Sequence, residues 1–212
     1  MQGKKLSAAE MAERREEMLR TAFRLFAENN IDSVRMQDIA DETEYTLRSL
    51  QRYFLSKDKL VVEVATWSWQ NYIQADSEFG PGKTATAAER YTNFLDSFLR
   101  LYRQRKDLLR FNQFFNVYVQ SRHITEPQMQ PYSNLILALK DRFHDLWLSG
   151  ISDGTMRTEA SEEEVFSATL HLMLAAVTRY AVGLVYNGGS EPEKELNALR
   201  DMLLTRYTEI KA

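Results

Sequence analysis

The sequence predicts an all-α protein in which a small N-terminal three-helix unit precedes a larger helical bundle. Apolar residues recur every three or four positions, capping signals repeat along the chain, and no segment alternates apolar and polar residues as a half-buried strand does. The chain has 212 residues, 44% of them hydrophobic and 27% charged, with 8 Gly and 4 Pro. This composition is typical of a globular helical protein and excludes a disordered or collagen-like one.

A first helix is predicted at about residues 7–29. Ser7 and Glu10 have the S-x-x-E spacing of a capping box, in which each side chain bonds a backbone amide of the other residue. Apolar residues then recur at helical spacing, at Met18, Ala22, Leu25 and Phe26. The pattern ends at Asn29 and Asn30, residues that tolerate the left-handed backbone of a helix end.

Two short helices are predicted next, at about residues 36–42 and 46–54. They are too short to be stable alone, so they need the first helix in order to bury Ile39, Ala40, Leu50 and Phe54. Ser56 is a predicted N-cap for a fourth helix that runs to about residue 79 and ends at Gly80-Pro81-Gly82.

Further helices are predicted at about residues 85–104, 107–121, 131–149, 161–187 and 191–210. The S-x-x-E spacing recurs at Ser161 with Glu164 and at Ser190 with Glu193. Helix 161–187 is apolar nearly all round, so it needs cover on two sides. One side fits its own bundle. The other would pair with a second copy of the chain, together with residues of helix 191–210, namely Leu196, Leu199, Leu203 and Ile210.

Several kinds of site are excluded or not expected. The chain has no Cys, which excludes a disulfide, a zinc-thiolate site and a cysteine nucleophile. His123, His144 and His171 are far apart, so no metal site is predicted, and no nucleophile stands beside a base at helical spacing. We therefore expect neither a cofactor nor enzyme activity. The net charge of −3 argues against nucleic-acid binding by bulk charge but leaves a local basic surface open.

The sequence predicts a cytoplasmic protein without a membrane partner. The two N-terminal lysines are not followed by an apolar run, so no signal peptide is expected. Residues 165–186 are about long enough to cross a bilayer, but His171 and Arg179 interrupt them.

Residues 33–60 are the most informative segment, because two short helices joined by a short turn form a helix-turn-helix. Such a motif presents its second helix to the DNA major groove. The packing face of that helix comprises Leu50, Tyr53 and Phe54. The opposite side carries two rows at i, i+4 spacing, Leu47 with Gln51 and Arg48 with Arg52. Residues 45–57 contain three basic residues and no acidic one, although residues 1–60 balance at 11 basic and 11 acidic.

The pattern I-A-x5-T-L-x-x-L-x-R-Y-F-x-S-K-D-x-L, at residues 39–60, resembles the DNA-binding domain of the TetR (tetracycline-repressor) family. The part at residues 53–60 is the most discriminating, and residues 150–157 are similar to the turn before the penultimate helix in many members. The resemblance implies a one-component transcriptional regulator, a homodimeric repressor that binds a pseudo-palindromic operator in double-stranded DNA and is released by a small, largely apolar ligand. Residues 1–55 would be the DNA-binding domain, and residues 56–212 the ligand-binding and dimerisation domain.

The resemblance also implies roles for single residues. Thr46 would cap the recognition helix, and the residues facing base edges or nearby phosphates would be Leu47, Arg48, Ser49 and Gln51. Arg52 shares that cationic face. Tyr53 and Lys57 would each contact a phosphate. Arg35 stands where the family has a small capping hydroxyl, so either it contacts a phosphate or Ser33 takes over the cap. Lys4 and Lys5 are either a cationic tail or an arm for the minor groove.

Two interpretations of the aromatic residues stay open. They either pack as ordinary core or line a cavity for the ligand, a cavity that the family resemblance implies. The candidate ligand-binding residues are Phe94, Phe98, Tyr102, Phe111, Asn112, Phe115, Asn116, Tyr118 and His171. A DNA-binding protein without a ligand switch and, more distantly, a helical enzyme are the alternatives to the ligand-released regulator.

Overall fold

The computed structural model describes residues 7–82, 84–183 and 191–209. The secondary-structure elements of this part of the chain are all helices. The α-helices are α1 (Ala8–Asn29), α2 (Met36–Asp41), α3 (Leu47–Phe54), α4 (Lys57–Asp76), α5 (Ala87–Gln104), α6 (Lys106–Arg122), α7 (Glu126–Asp153), α8 (Glu162–Ala181) and α9 (Pro192–Tyr207). The all-α class and the N-terminal three-helix unit are confirmed.

Side-chain caps begin several helices where the sequence places them. Ser7 and Glu10 form the reciprocal capping box at α1. Ser161 accepts a hydrogen bond from the Glu164 amide at the start of α8. The predicted cap Ser190 lies outside the described residues, and α9 begins at Pro192. These bonds satisfy amides that the first turn of a helix leaves without a backbone acceptor.

The predicted start of the helix at residue 131 is wrong, because α7 begins five residues earlier. Thr125 precedes the helix, and its amide and hydroxyl both donate to Oε1 of Gln128, at 2.9 Å each. This is a T-x-x-Q capping signal. The helix continues through Pro131 and Gly150 to Asp153, where Gly154 has φ +68°. A glycine with positive φ is a common helix terminator because it has no Cβ to clash.

Two other helices end sooner than predicted. The α4 helix ends at Asp76 and is followed by a 3₁₀ turn, Ser77–Phe79, so it does not reach Gly80 as a regular helix. The α8 helix ends at Ala181 instead of residue 187, since Gly183 turns the chain with φ +77°. Residues 184–187 lie outside the described part.

The described helices belong to two compact units, each with its own core. One comprises the chain up to Gln70 together with Phe111–Ser133, and the other comprises Asn71–Arg110 and the chain from Asn134 onward. These units do not coincide with the division predicted at residue 55, which concerns function and stays a prediction. Within the described residues, no helix combines the length and apolar character needed to cross a bilayer.

The first unit is built around the apolar face of α1. Phe111 of α6 is fully buried, with its ring centroid 5.4 Å from that of Phe23 and 6.5 Å from that of Phe26. The α2 helix packs against α1 and α3, burying Ile39 and Leu50 completely. The short helices are therefore held by long-range packing, as their length predicts.

In the second unit, α5 packs against α8 and α9. The buried Tyr91 hydroxyl lies 2.7 Å from the Thr169 hydroxyl of α8, and its ring meets Tyr207 of α9 edge-on. Leu196 and Leu203 of α9 are buried within the chain itself, so the expectation that they face a second copy is wrong. Helix spacing alone did not distinguish the inner face of α9 from its outer face.

Gly150 is a small residue that the packing of α7 requires. A Cβ at this position would lie 2.1 Å from Cγ and 2.7 Å from Cβ of Met156, closer than packed carbons approach. We expect Gly150→Ala to lower the free energy of unfolding by about 1–3 kcal/mol through overpacking, measured by urea denaturation. Gly82→Ala is the matched control, because no atom lies within 4 Å of its added Cβ. An unchanged or raised stability for Gly150→Ala would contradict this prediction.

Candidate nucleic-acid interface

The α3 helix is bounded by a cap at one end and a sharp backbone turn at the other. Thr46 accepts a hydrogen bond from the Ser49 amide at 3.2 Å, as an N-cap does. After Phe54, Leu55 has φ +61°, which breaks the helix, and Ser56 accepts a bond from the Lys59 amide at the start of α4. The cap and the turn fix the two ends of a short rod.

One side of α3 faces the protein interior. Leu50 and Phe54 are 0% and 1% exposed, and Tyr53 beside them is half-buried. The packing face predicted from the spacing of these residues is confirmed. Because this face is fixed, the orientation of the opposite face follows from the helix period.

The opposite side of α3 presents Arg48, Gln51 and Arg52 to solvent, while Leu47 and Ser49 are half-buried. Within the part of the chain that the structure describes, the side chains of Arg48 and Gln51 form no hydrogen bond or ion pair with protein groups. The Arg52 guanidinium lies 5.8 Å from the Tyr53 ring centroid. Arg48 and Gln51 can therefore bind another molecule without first breaking a hydrogen bond or ion pair within the described protein.

The turn between α2 and α3 is tied to α1 through Tyr45. The Tyr45 hydroxyl donates to Glu17 at 2.6 Å, and this bond raises the pKa of Tyr45 to about 12. The guanidinium of Arg14 lies 5.5 Å from the centre of the same ring. Glu44 in this turn has no positive φ, so its position does not require a glycine.

Arg35 begins α2 in an unusual way. Its amide donates to the Asp38 carboxylate at 2.7 Å, and its guanidinium forms an ion pair with the same carboxylate. Ser33 instead donates to the carbonyls of Asn29 and Asn30 at the end of α1, so the alternative in which Ser33 caps α2 is wrong. The guanidinium of Arg35 is 77% exposed and stays open to solvent anions.

Lys57, at the first position of α4, is partly buried. Its Nζ donates to the backbone carbonyl of Asp32 at 3.3 Å and lies 5.6 Å from the Tyr118 ring centroid. Burial lowers its pKa from the ordinary value for lysine. The Lys57 ammonium thus lies at the N-terminal turn of α4, which also carries Asp58.

The candidate ligand-binding residues are divided between the two units. The four in the second unit are Phe94, Phe98, Tyr102 and His171, and the five in the first unit are Phe111, Asn112, Phe115, Asn116 and Tyr118. Phe94 and Phe98 contact each other with centroids 5.4 Å apart. Tyr102 lies 6.4 Å from Tyr180, measured between ring centroids. His171 is exposed, and its Nδ1 lies 3.3 Å from the Ser167 hydroxyl oxygen.

In the first unit, most of these residues already have protein partners. Phe111 and Phe115 stack with centroids 6.0 Å apart, and Asn112 accepts a hydrogen bond from the Trp69 indole at 3.3 Å. Tyr118 donates to Asp58, and Asn116 is exposed. Ordinary packing accounts for the burial of Phe111, Phe115 and Tyr118, and the ligand contact of all nine residues stays a prediction.

The Tyr45–Glu17 hydrogen bond and the Arg122–Asp32 ion pair were not predicted from the sequence. Glu17 and Tyr45 are 28 residues apart, and Arg122 and Asp32 are 90 apart, so no helical spacing connects them. Among the described residues, no three His, Asp or Glu side chains cluster as a metal site would require.

Comparison with known proteins agrees with this geometry. Residues 18–64 match the family model described as "Bacterial regulatory proteins, tetR family". No curated protein sequence matches the chain. A transcriptional regulator from Saccharomonospora viridis in complex with choline has a TM-score of 0.74 at 19% identity, with coverage of 94% of this chain and 100% of that one.

Two further solved structures are similar over nearly their whole length. A TetR-family regulator from a Rhodococcus species has a TM-score of 0.71 at 17% identity, covering 91% of this chain and 99% of that one. The ketosteroid transcriptional regulator KstR2 of Mycobacterium tuberculosis has a TM-score of 0.61 at 20% identity, with 98% coverage of both chains. At these identities the likeness shows the fold.

The helical N-terminal unit with its exposed α3 has the architecture of a helix-turn-helix domain. Residues 18–64 match the tetR family model, and the described part of the chain has the fold of solved TetR-family transcriptional regulators.

Proposed function

We propose that the protein is a homodimeric, one-component repressor that binds a pseudo-palindromic operator in double-stranded DNA and is released by a small ligand. The observation that carries the proposal is the exposed face of α3, where Arg48 and Gln51 project while Leu50 and Phe54 anchor the helix from below. A rigidly held helix with uncommitted polar side chains is what major-groove readout requires.

The exposed residues divide by chemistry into base readers and phosphate contacts. Arg48 suits a bidentate contact to guanine, and Gln51 suits adenine. Arg35, Tyr53 and Lys57 are assigned to the phosphate backbone, which sets register and carries no sequence information. Thr46, Leu47, Ser49 and Arg52 lie along the same face and complete the contact surface.

A dimer is supported by apolar side chains that remain exposed on α8 and α9. Leu172 of α8 is 49% exposed and Met202 of α9 is 68% exposed. We infer that these helices pair with the same helices of a second copy. Two copies of α3 would then enter successive major grooves about 34–36 Å apart on regular DNA. A monomer at the concentrations used for DNA binding would contradict the proposal, and sedimentation velocity measures this directly.

A small-molecule effector is proposed from the aromatic content of the helical bundle and from two solved structures of similar fold. The Saccharomonospora viridis structure contains choline, and KstR2 is described as a ketosteroid regulator. We infer a small, largely apolar ligand and extend the class to organic cations, which aromatic rings also bind. The effector would act through α4, whose continuous backbone has residues in both units. DNA and effector would then weaken each other's binding by equal factors.

Changing Arg48 should alter which DNA is bound, whereas changing Lys57 should alter how tightly any DNA is bound. We expect Arg48→Ala to reduce affinity for the operator by roughly 5- to 150-fold, because about 1–3 kcal/mol of base discrimination is lost, and to leave binding of random duplex nearly unchanged. Lys57→Ala should weaken both duplexes and lower the salt slope by about one.

The measurement is fluorescence anisotropy with duplexes selected from the DNA flanking the coding region, against random duplex of equal length. Arg142→Ala is the matched control, because Arg142 is an exposed arginine of α7. Wild-type protein that shows no preference for any duplex over random DNA would overturn the proposed function. Equal losses on all duplexes for Arg48→Ala would overturn its assignment as a base reader.

A thermal-shift panel of lipophilic compounds and organic cations separates the ligand-released regulator from its alternatives. A ligand of the folded protein raises Tm in proportion to the logarithm of its concentration once it is in excess. Such a compound should also lower operator affinity. Stabilisation without an effect on DNA binding, or no stabilisation by any compound, favours a DNA-binding protein without a switch, and turnover of a bound compound favours an enzyme.

A further inference from the structure

A compact group of charges joins the end of α6 to the segments on either side of the helix-turn-helix. Arg122, the last residue of α6, forms an ion pair with Asp32 in the loop before α2, with a guanidinium nitrogen 2.8 Å from a carboxylate oxygen. The two side chains are 52% and 44% exposed. This pair is therefore in contact with water, and exchanging one anionic partner for another costs little.

Tyr118 forms the platform of this group. Its hydroxyl donates to Asp58 in the first turn of α4 at 2.6 Å, which fixes the direction of the ring. The Arg122 guanidinium carbon lies 5.5 Å from the ring centroid, and Lys57 Nζ lies 5.6 Å from it. Two cations from distant parts of the sequence are thus held on one aromatic side chain.

We propose that Arg122 is a further contact to the DNA backbone, binding a phosphate beside Lys57 after exchanging the Asp32 carboxylate for it. This inference rests on the proposed function. A guanidinium binds phosphate oxygens as it binds carboxylate oxygens, so a phosphate oxygen can replace the Asp32 oxygen that Arg122 contacts. Arg122 lies 90 residues from Asp32 and well outside residues 18–64, so the family motif does not include it.

Two substitutions that break the same ion pair separate this role from a structural one. If the Arg122–Asp32 pair only stabilised the fold, Arg122→Ala and Asp32→Asn would harm DNA binding alike. If Arg122 contacts a phosphate, Arg122→Ala weakens DNA binding. Asp32→Asn then strengthens DNA binding, because it frees the guanidinium and removes a negative charge that would repel the phosphate. Arg122→Lys should restore part of the binding, because a point charge replaces the fork.

The experiment measures the affinity of the full chain for random and operator duplexes at about 50 and about 200 mM salt. Raising the salt from the lower to the higher concentration weakens DNA binding by a certain factor. Loss of one phosphate contact makes this factor about threefold smaller, and we expect that reduction for Arg122→Ala on both duplexes. Lys140→Ala and Glu163→Gln are the controls, because they break an exposed ion pair between α7 and α8 with the same charge changes. Both should leave affinity and salt slope unchanged, and thermal unfolding checks that every variant is folded.

An unchanged salt slope for Arg122→Ala, or weaker binding by Asp32→Asn, overturns the inference. In either case Arg48→Ala still reports on the proposed function, since its loss of operator preference does not depend on Arg122. Equal strengthening of binding by Asp32→Asn and Glu163→Gln also overturns the inference, because the effect would then be one of net charge and not of position.

Discussion

Phe111→Ala should destabilise the first unit by about 3–5 kcal/mol, the usual cost of removing a fully buried phenylalanine from a core that cannot collapse around the gap. Phe111 is 0% exposed, and its ring contacts Phe23, Phe26 and Phe115. Each neighbour would lose close-packed atoms on one side. Urea denaturation monitored by circular dichroism measures the loss as a lower transition midpoint at constant slope.

This substitution also decides between the two interpretations of the aromatic residues. A residue that lines a ligand cavity already borders empty or solvent-filled space, so its truncation costs much less than truncation of a core residue. Phe114→Ala is the matched control on the same helix, because Phe114 is only half-buried. If Phe111→Ala were no more destabilising than Phe114→Ala, the packing interpretation would fail and the cavity interpretation of Phe111 would gain support.

The sequence predicted the local features of the recognition surface well, because local spacing determines them. Thr46 caps α3, Leu50 and Phe54 point inward, and Arg48 with Arg52 remains outside. Once the inward face of a helix is identified, the 3.6-residue period fixes every other side chain. The capping-box spacing of Ser7 and Glu10, which is also local, placed the start of α1.

Features that depend on which helices meet could not be predicted in this way. The helices at residues 85–104 and 107–121 are neighbours in sequence, and their aromatic residues suggested one shared cavity. The compact units divide at Arg110 and Phe111, and Phe111 of α6 packs with Phe23 of α1 within the first unit. Nothing in the spacing of either helix encodes that choice of partner. The early start of α7 is different, because the Thr125–Gln128 signal was present in the sequence.

Asp76→Ala should be the second strongly destabilising change, and it acts in the second unit. The Asp76 carboxylate accepts two hydrogen bonds from Arg100, at 2.6 and 3.0 Å, and both side chains are largely buried, at 14% and 17% exposure. Removing the carboxylate leaves the guanidinium with the Asn93 carbonyl and side-chain oxygens as partners in the cluster. We expect a loss of about 2–4 kcal/mol, somewhat below the cost of orphaning a fully buried charge.

The double variant Asp76→Ala with Arg100→Met should recover much of that loss, because the stem of methionine fills the arginine's place and no charge remains to be solvated. A double-mutant cycle measured by urea denaturation isolates the coupling between the two positions. Glu193→Ala is the surface control, since its pair with Arg103 is about half-exposed and should contribute little to stability. A double variant less stable than Asp76→Ala alone would show that the cost comes from lost packing and not from the unpaired guanidinium.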